Sequence, residues 1–239
     1  MRVLLSCGET MARKKVLRIG GDVREHPRYS YEEAASILRI PLSTVAAWCR
    51  GQCYRRSDTG KMVHFAPVIV PASPSEGLLS FYNLAEAHVL RATREQDVPL
   101  VNVRRALEYI RERIPTSTHP LLTHDFSTYG KQVFIEHLGK TINATAHGQI
   151  AMRELLEKYL HRIDRDALGM PVQIRPMNTQ YLVVNPSISS GQLIVKGTRI
   201  AAAVLAARKK SGESYQDLAQ DYRLTESQIE HAIKEYAAA

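Results

Sequence analysis

Apolar positions first form a regular pattern between residues 30 and 51. Ser30-Tyr31-Glu32-Glu33 has the spacing of a capping box, in which a serine hydroxyl and a glutamate carboxylate satisfy free amides at a helix start. Apolar residues continue at helical spacing as far as Leu38, and Pro41 forbids further helix. Ser43 can cap a second helix, which Gly51 ends. The pattern predicts two short helices joined by a tight turn, a helix-turn-helix.

A β-hairpin is predicted directly after these helices. Cys53–Arg56 and Met62–Val70 are rich in β-forming residues and flank the turn Asp58-Thr59-Gly60. A hairpin in this place is the wing of a winged helix-turn-helix. Pro71–Gly77 has the composition of a linker. Helical spacing then returns, and two further helices are expected at Ser80–Gln96 and Asn102–Arg113.

The remainder is predicted to be a mixed segment followed by three helices. The mixed segment favours strands at Val133–Leu138, Ile142–Ala146, Val172–Ile174 and Tyr181–Val184, and a helix at Ile150–Ile163. A strand at Leu193–Val195 then leads to helices at Ala201–Lys210, Tyr215–Tyr222 and Glu226–Tyr236, with capping boxes beginning at Ser214 and Thr225.

These elements indicate a mainly α fold with small β elements, an α+β class. We expect a flexible tail at residues 1–28 and a winged helix-turn-helix domain with its following helix pair at 29–114. A mixed connecting segment at 115–184 precedes a C-terminal three-helix, homeodomain-like domain at 185–239.

One pattern occurs twice. Ser30, Ala35, Leu38-Arg39-Ile40 and Val45 have counterparts at Ser214, Ala219, Tyr222-Arg223-Leu224 and Ile229. Both sets supply a small residue where two helices cross and apolar residues around the turn. The copies differ in charge, because the last helix is expected to expose Glu226, Glu230 and Glu235 against Lys234, and three acids would repel a phosphate backbone. The second copy is therefore predicted to contact protein, and the first to contact DNA.

Composition agrees with a folded chain whose positive charge lies at one end. The 239 residues are 44% hydrophobic and 23% charged, which is ordinary for globular proteins, and the formal net charge is +8. Residues 1–77 contain 12 Lys or Arg against 7 Asp or Glu, so this region is expected to meet a polyanion. Three cysteines without a disulfide framework favour a reducing cytoplasm, and no apolar run is long enough for a membrane span.

The second helix of the first copy is the candidate recognition helix. Its apolar face uses Val45 and Trp48, which leaves Ser43, Thr44, Ala47 and Arg50 for DNA. The hairpin adds Arg55, Arg56 and Lys61. Hydroxyls at a helix start can bond phosphates, and an arginine can reach a guanine edge or a phosphate. The alternative is a pair of amphipathic helices with a solvated basic loop.

No catalytic or metal-binding pattern emerges. Cys49, Cys53 and His64 include zinc-ligand types, but their spacing is loose and a fourth ligand is missing. The histidines from His119 to His161 are scattered singly. We therefore predict a non-enzymatic protein without a cofactor. The enzymatic alternative is a nuclease that uses these histidines with Asp125, Asp164 or Asp166.

Several segments resemble known bacterial proteins. Asn185–Gly191, Val195–Ile200 and Gly212–Tyr215 are similar to a small domain family of unknown function, although Asn185, Gln192-Leu193 and Ala201 replace the Asp, the basic-Pro pair and the Pro of its usual pattern. Ser80–Leu90, Arg104–Arg111 and Asp125–Lys131 resemble longer proteins that join a MerR-like helix-turn-helix to that domain. Over residues 29–236 the chain thus resembles antitoxins of the VapB class, and its look-alikes are mycobacterial.

The resemblance implies a function and partners. VapB-class antitoxins bind a PIN-domain ribonuclease toxin, suppress its RNA cleavage and repress their own operon, so double-stranded DNA and the toxin are the expected partners. A second copy of the chain is also expected, because a single short recognition helix has little reach and paired half-sites would multiply specificity. PIN nucleases hold Mg²⁺ with acidic side chains, which a basic antitoxin side chain could approach. The candidate partner-binding residues are Gly197, Thr198, Arg199, Lys209 and Lys210, and Arg199 could instead be a buried structural cation.

Two alternatives to the antitoxin function stay open at this point. The first is a MerR-like transcriptional regulator that senses a small ligand in residues 121–184. The second is a DNA-architectural factor that binds DNA without repression.

Overall fold

The computed structural model describes residues 21–55, 60, 62–113, 118–123, 125–126, 130–141 and 146–238. Within these ranges helices dominate, together with one hairpin and one small antiparallel sheet, so the predicted α+β class is confirmed. Most of the tail predicted at 1–28, the turn at Asp58-Thr59, the residues Arg56 and Lys61, and the side chain of Arg55 fall outside what the structure describes.

Helix α1 (Tyr31–Leu38) begins at the predicted capping box. The amide of Glu33 donates to Ser30 Oγ at 3.1 Å, and the amide of Ser30 donates to Glu33 Oε2 at 2.9 Å. Helix α2 (Leu42–Arg50) begins two residues earlier than a cap at Ser43 implies, so the expectation that Ser43 caps it is wrong. Pro41 has the extended backbone of an N-cap and its carbonyl accepts from Thr44, which leaves Ser43 inside the first turn.

The hairpin after α2 consists of β1 (Gln52–Arg55) and β2 (Met62–Phe65), paired antiparallel with Gln52 opposite Phe65. The second strand is shorter than predicted because residues 66–69 turn back onto the helices. The amides of Val68 and Ile69 donate to Trp48 O at 2.8 and 3.1 Å. The hairpin base is therefore fixed to the end of α2.

The predicted linker Pro71–Gly77 is held in place at both ends. Ser73 and Leu78 form a β-bridge, and Leu79 bridges Tyr29 ahead of α1. The side chain of Asn83 accepts from Ala72 N and donates to Val70 O, both at 3.0 Å. This stretch is thus part of the packed structure.

Four helices form the middle of the molecule: α3 (Phe81–Glu95), α4 (Leu100–Arg113), α5 (Lys131–Thr141) and α6 (Ala146–Leu160). Helix α3 is buried along most of its length, and Ser80 caps it with Asn83 in the box position. The prediction of a strand at Val133–Leu138 is wrong, because this segment lies in α5 and buries Phe134, Ile135 and Leu138 on one helical face. Its expected partner, Ile142–Ala146, lies mostly outside the described residues, and Ala146 begins α6.

A four-stranded antiparallel sheet connects the middle to the C-terminal helices. Its order is β3 (Ile163–Arg165), β4 (Pro171–Ile174), β5 (Leu182–Val184) and β6 (Leu193–Val195). The helices that follow are α7 (Ala202–Lys210), α8 (Tyr215–Tyr222) and α9 (Glu226–Ala237), close to their predicted bounds. The predicted capping boxes of α8 and α9 are both present. Pairing of β5 with β6 joins residues on either side of position 185.

Helix α1 is attached to the C-terminal region at both of its ends. Before the helix, Tyr29 Oη donates to Gly191 O at 3.0 Å. The contact is so close that a Cβ added at Gly191 would lie 2.2 Å from the phenol oxygen of Tyr29. After the helix, Arg39 Nη2 donates to Glu235 O at 2.5 Å and Nη1 donates to Asn178 O at 3.2 Å. A continuous set of buried side chains runs from Tyr29 to Ala232, so the first and last helix pairs share one core.

Candidate nucleic-acid interface

The two helix-turn-helix copies have the same turn. Arg39 and Arg223 stand 184 positions apart, and both adopt the left-handed conformation at φ 54°. In each turn the next residue donates its amide to the alanine of the preceding helix, Ile40 to Ala35 O and Leu224 to Ala219 O, both at 3.0 Å. The predicted duplication therefore extends to the backbone, and the copies differ in the side chains around it.

Helix α2 buries one face and presents another. Val45, Trp48 and Cys49 are buried, whereas Ser43 and Arg50 are exposed and Thr44 and Ala47 are half-buried. Burial raises the pKa of the Cys49 thiol to about 12, which makes it a packing group. The guanidinium of Arg50 lies over the Tyr31 ring, 5.2 Å from its centroid.

Three of the residues predicted to face DNA line one wall of a groove, and Arg50 lies outside it. Ser43, Thr44 and Ala47 form this wall, and the end of α3 with the α3–α4 turn forms the other, enclosing about 210 Å³. Arg94, in the last turn of α3, and Asp97, in the turn, lie on the opposite wall. Sequence reasoning missed Arg94 because it is some 50 positions from α2 and adjoins the acids Glu95 and Asp97, so no local pattern marks it.

The hairpin residues are placed beside α2. Arg55 ends β1, where it pairs with Met62 in the strand register, and the predicted contacts of Arg56 and Lys61 lie outside the described residues. Two arginines of α4 anchor the segment that follows the hairpin: Arg104 Nε donates to Ala66 O at 3.1 Å, and Arg111 Nη2 donates to Val68 O at 2.9 Å. Helix α4 thus holds the segment whose amides bond to the end of α2.

The last helix exposes fewer free acids than its sequence suggests. Glu226 and Lys234 are exposed, but Glu235 accepts from the amides of Gln180 and Tyr181 at 2.7 and 3.0 Å. Glu230 forms an ion pair with Lys234 at 2.6 Å. The expectation of three free acids is therefore wrong, because tertiary contacts occupy one and a neighbour on the same helix neutralises another.

On the face of α9 that corresponds to the α2 groove wall, Ser227, His231 and Lys234 are exposed, and one of these side chains also packs on a neighbouring segment. His231 occupies the position equivalent to Ala47, and its ring stacks on Tyr181 just before β5, with 4.9 Å between centroids. Its Nδ1 lies 2.6 Å from Ser227 O.

The candidate partner-binding residues fall into two places. Gly197, at φ 78°, and Thr198 shape the turn after β6, where Thr198 Oγ1 donates to Val195 O at 2.8 Å and accepts from Ile200 N at 3.0 Å. Arg199 is exposed, so the alternative of a buried structural cation is wrong. Lys209 Nζ donates to Glu213 O and lies 4.3 Å from the Tyr215 ring centroid, whereas Lys210 is exposed.

These exposed cations do not form one patch. Arg199 precedes α7 and Lys210 ends it, and a nine-residue helix is about 13 Å long. Arg208, between them in sequence, is occupied by Glu213 and by Asp221, which it meets at 2.5 Å, while lying over the Tyr222 ring. The structure therefore leaves Arg199 and Lys210 as separate contact points.

Two known protein families match this chain, one near each of its ends. Residues 27–107 match the family described as "Putative DNA-binding HTH domain". Residues 182–237 match a family described only as "Protein of unknown function". Each end has its own known relatives. The first match covers the α1–α2 turn, the hairpin and the groove, and the second covers the β5–β6 pair and the three last helices.

Relatives of similar length come from Mycobacterium tuberculosis. "Putative antitoxin VapB45" is 28% identical over 245 residues, which cover 95% of this chain and all of that protein. "Uncharacterized protein Rv2308" is 28% identical over 220 residues, with 86% of this chain and 88% of that protein covered. The crystal structure of Rv2018 superposes with a TM-score of 0.67 at 25% identity, over 87% of this chain and 98% of that one. The chain is thus similar to an antitoxin-like protein and carries a helix-turn-helix of the DNA-binding type.

No three His, Cys, Asp or Glu side chains among the described residues come together in a way that could hold a metal ion. None of the described helices is long and apolar enough to cross a membrane.

Proposed function

We propose that this protein is a non-enzymatic antitoxin that binds its own operator DNA and neutralises a PIN-domain ribonuclease. The observation that carries the proposal is the pair of equal helix-turn-helix units with unequal faces. The first unit leaves Ser43, Thr44 and Arg50 accessible beside a basic hairpin, whereas the second exposes Glu226 at its helix start and has His231, which stacks on Tyr181, in place of Ala47. One unit is thereby suited to DNA and the other to protein.

The DNA-binding arm uses α2 as the recognition helix and the hairpin as a wing. Arg50, Arg55, Arg56 and Lys61 supply the charge, and Ser43 and Thr44 supply hydroxyls for phosphates. A single recognition helix of nine residues reads few base pairs, so we propose a homodimer that binds two half-sites about one helical turn apart and represses the operon in the cytoplasm.

The toxin-binding arm uses the C-terminal helices. Support comes from the relative named as an antitoxin, which aligns over nearly the whole chain, and from the exposure of Arg199 and Lys210. Both cations are free to approach the acidic site of a PIN nuclease. Gly197 and Thr198 hold the turn that presents Arg199, and Lys209 is held within the chain itself.

The test separates the two arms with paired variants of the full chain. Arg50→Ala/Arg55→Ala is expected to weaken binding to the duplex upstream of its own gene more than tenfold and to lower the slope of log affinity against log salt by about 1.8, two phosphate contacts' worth. Copurification with the product of the neighbouring gene should be unchanged. Arg199→Ala/Lys210→Ala should weaken copurification with the neighbouring gene product and leave the affinity for the duplex unchanged.

The matched control is Arg153→Ala/Lys158→Ala, which removes two exposed cations from α6 and should leave both readouts at the wild-type level. If the wild-type protein does not bind the duplex in 50 mM salt, the proposed DNA binding is refuted. If the product of the neighbouring gene neither copurifies with the chain nor loses its toxicity, the proposed antitoxin function is refuted.

A further inference from the structure

The groove beside α2 contains a cation that stands outside the recognition helix. Arg94 lies in the last turn of α3 and lines the wall opposite Ser43, Thr44 and Ala47. These residues belong to two elements that the chain brings together only in three dimensions. A strand of DNA that lay on the exposed face of α2 would therefore run between them.

Arg94 is free to bind an external group. Its side chain is exposed and forms no hydrogen bond or ion pair with the residues that the structure describes. Arg91, one turn earlier, is occupied instead: its Nη1 donates to Leu38 O at 2.5 Å and its Nε to Glu95 at 3.1 Å. The same helix thus carries one arginine that fixes the end of α1 and one that lines the groove without an internal partner among the described residues.

The chemistry of the groove suits a phosphodiester, with one opposing charge. The hydroxyls of Ser43 and Thr44 make no hydrogen bonds within the described structure and can donate to phosphate oxygens, while a guanidinium adds charge-assisted bonds. Asp97 lines the same wall as Arg94 and would repel a phosphate placed there. Arg94 would strengthen the binding of a phosphate in this groove, and Asp97 would weaken it.

We propose that Arg94 is a DNA-contact residue that binds a backbone phosphate together with Ser43 and Thr44, and that Asp97 weakens this contact. The inference rests on the proposed DNA binding and extends it to the α3–α4 turn. Phosphate contacts carry no sequence information, so Arg94 acts on affinity for any duplex and not on the choice of operator.

The test measures fluorescence anisotropy of two labelled duplexes, the DNA upstream of the gene and an unrelated one of equal length, against the full chain over a salt series. Arg94→Ala should weaken binding to both duplexes about tenfold at low salt and lower the salt slope by about 0.9. Arg94→Lys should retain most of the slope. Asp97→Asn should tighten binding roughly twofold to fivefold.

The control is Arg153→Ala on α6, whose affinity and slope should equal those of the wild type, and far-ultraviolet circular dichroism checks that each variant is folded. If the wild type binds and Arg94→Ala binds equally well with the same slope, the Arg94 contact is refuted while the proposed function stands. Loss of binding to the upstream duplex alone would make Arg94 a base reader and overturn the phosphate assignment. A wild type that binds neither duplex refutes the proposed function itself.

Discussion

His88 is a titratable side chain in the core of the protein. It lies on α3 with no exposed surface, its Nε2 is 3.1 Å from Tyr159 O, and its ring packs 4.9 Å from the Tyr159 ring. Burial, with a lesser contribution from the positive charge of Arg162 and Arg91, lowers the pKa of His88 to about 3. The folded protein therefore keeps this imidazole neutral, whereas the unfolded chain protonates it below its ordinary pKa of 6.5.

That difference predicts a loss of stability in acid. Between pH 6.5 and about 3 the unfolded chain binds one more proton at this site, so the free energy of unfolding falls with decreasing pH by about 1.4 kcal/mol per unit from His88 alone. Urea unfolding at pH 6.5, 5.5 and 4.5 should show that His88→Gln has a shallower dependence by this amount. His161→Gln, which replaces an exposed histidine, should keep the wild-type slope; equal slopes for all three proteins would contradict the prediction.

Glu235 and Arg94 mark the limit of residue-level prediction. A helical wheel places Glu235 on the exposed side of α9, yet its carboxylate accepts two amides from residues some 55 positions earlier. Arg94 reaches the α2 groove across a similar separation. Charge counts along a sequence treat each side chain as solvated, so they cannot register contacts that depend on how helices pack.

At the scale of elements, the two turns of the duplicated motif are a natural matched pair. Arg39 and Arg223 share a left-handed backbone, which costs an L-residue about 1 kcal/mol relative to glycine. Arg223 is exposed and its side chain makes no hydrogen bond within the described residues. Arg39 instead donates to Asn178 O and Glu235 O. The same substitution should therefore have opposite effects at the two positions.

We expect Arg223→Gly to raise the free energy of unfolding by about 0.5 to 1 kcal/mol, because glycine relieves the left-handed backbone without loss of a contact. Arg39→Gly should lower it by about 1 to 2 kcal/mol, because two hydrogen bonds from a charged group are removed. Chemical denaturation of both variants beside the wild type measures the contrast. Stabilisation at both positions would mean that the Arg39 contacts contribute nothing.

Elements with local signals were predictable and those without were not. The boxes at Ser30, Ser214 and Thr225 place helix starts correctly, because capping depends on residues three positions apart. Val133–Leu138 was predicted as a strand, since its apolar run fits either period and only packing against α4 and α6 decides for a helix. The groove beside α2 belongs to the same class, because it requires the arrangement of three helices.

At the scale of the whole molecule, the N-terminal and C-terminal regions share one hydrophobic core. Both ends of α1 are bonded to residues beyond 175, and the buried side chains form one continuous set. A disturbance at the second helix-turn-helix should therefore reach the first. Trp48, the only tryptophan of the chain, reports on this directly, because it is buried in α2.

We expect Ile229→Ala, which empties a fully buried site in α9, to lower the free energy of unfolding by about 2 to 4 kcal/mol. The thermal midpoints followed by Trp48 fluorescence and by far-ultraviolet circular dichroism should fall together, because unfolding is a single cooperative event. Leu168→Ala, at a site that is 83% exposed, should change neither midpoint. A Trp48 transition that keeps its wild-type midpoint in Ile229→Ala would show that the two ends unfold independently.

The contact between Tyr29 and Gly191 also limits how the sequence can change over time. Any side chain at 191 would overlap the phenol oxygen, and φ there is 73°, so the glycine can be replaced only after the ring is made smaller or withdrawn. The two positions are 162 residues apart but are expected to vary together among related sequences. Related sequences that differ at both 29 and 191 would be those in which the packing between the DNA-binding end and the C-terminal end has changed on both sides of the contact.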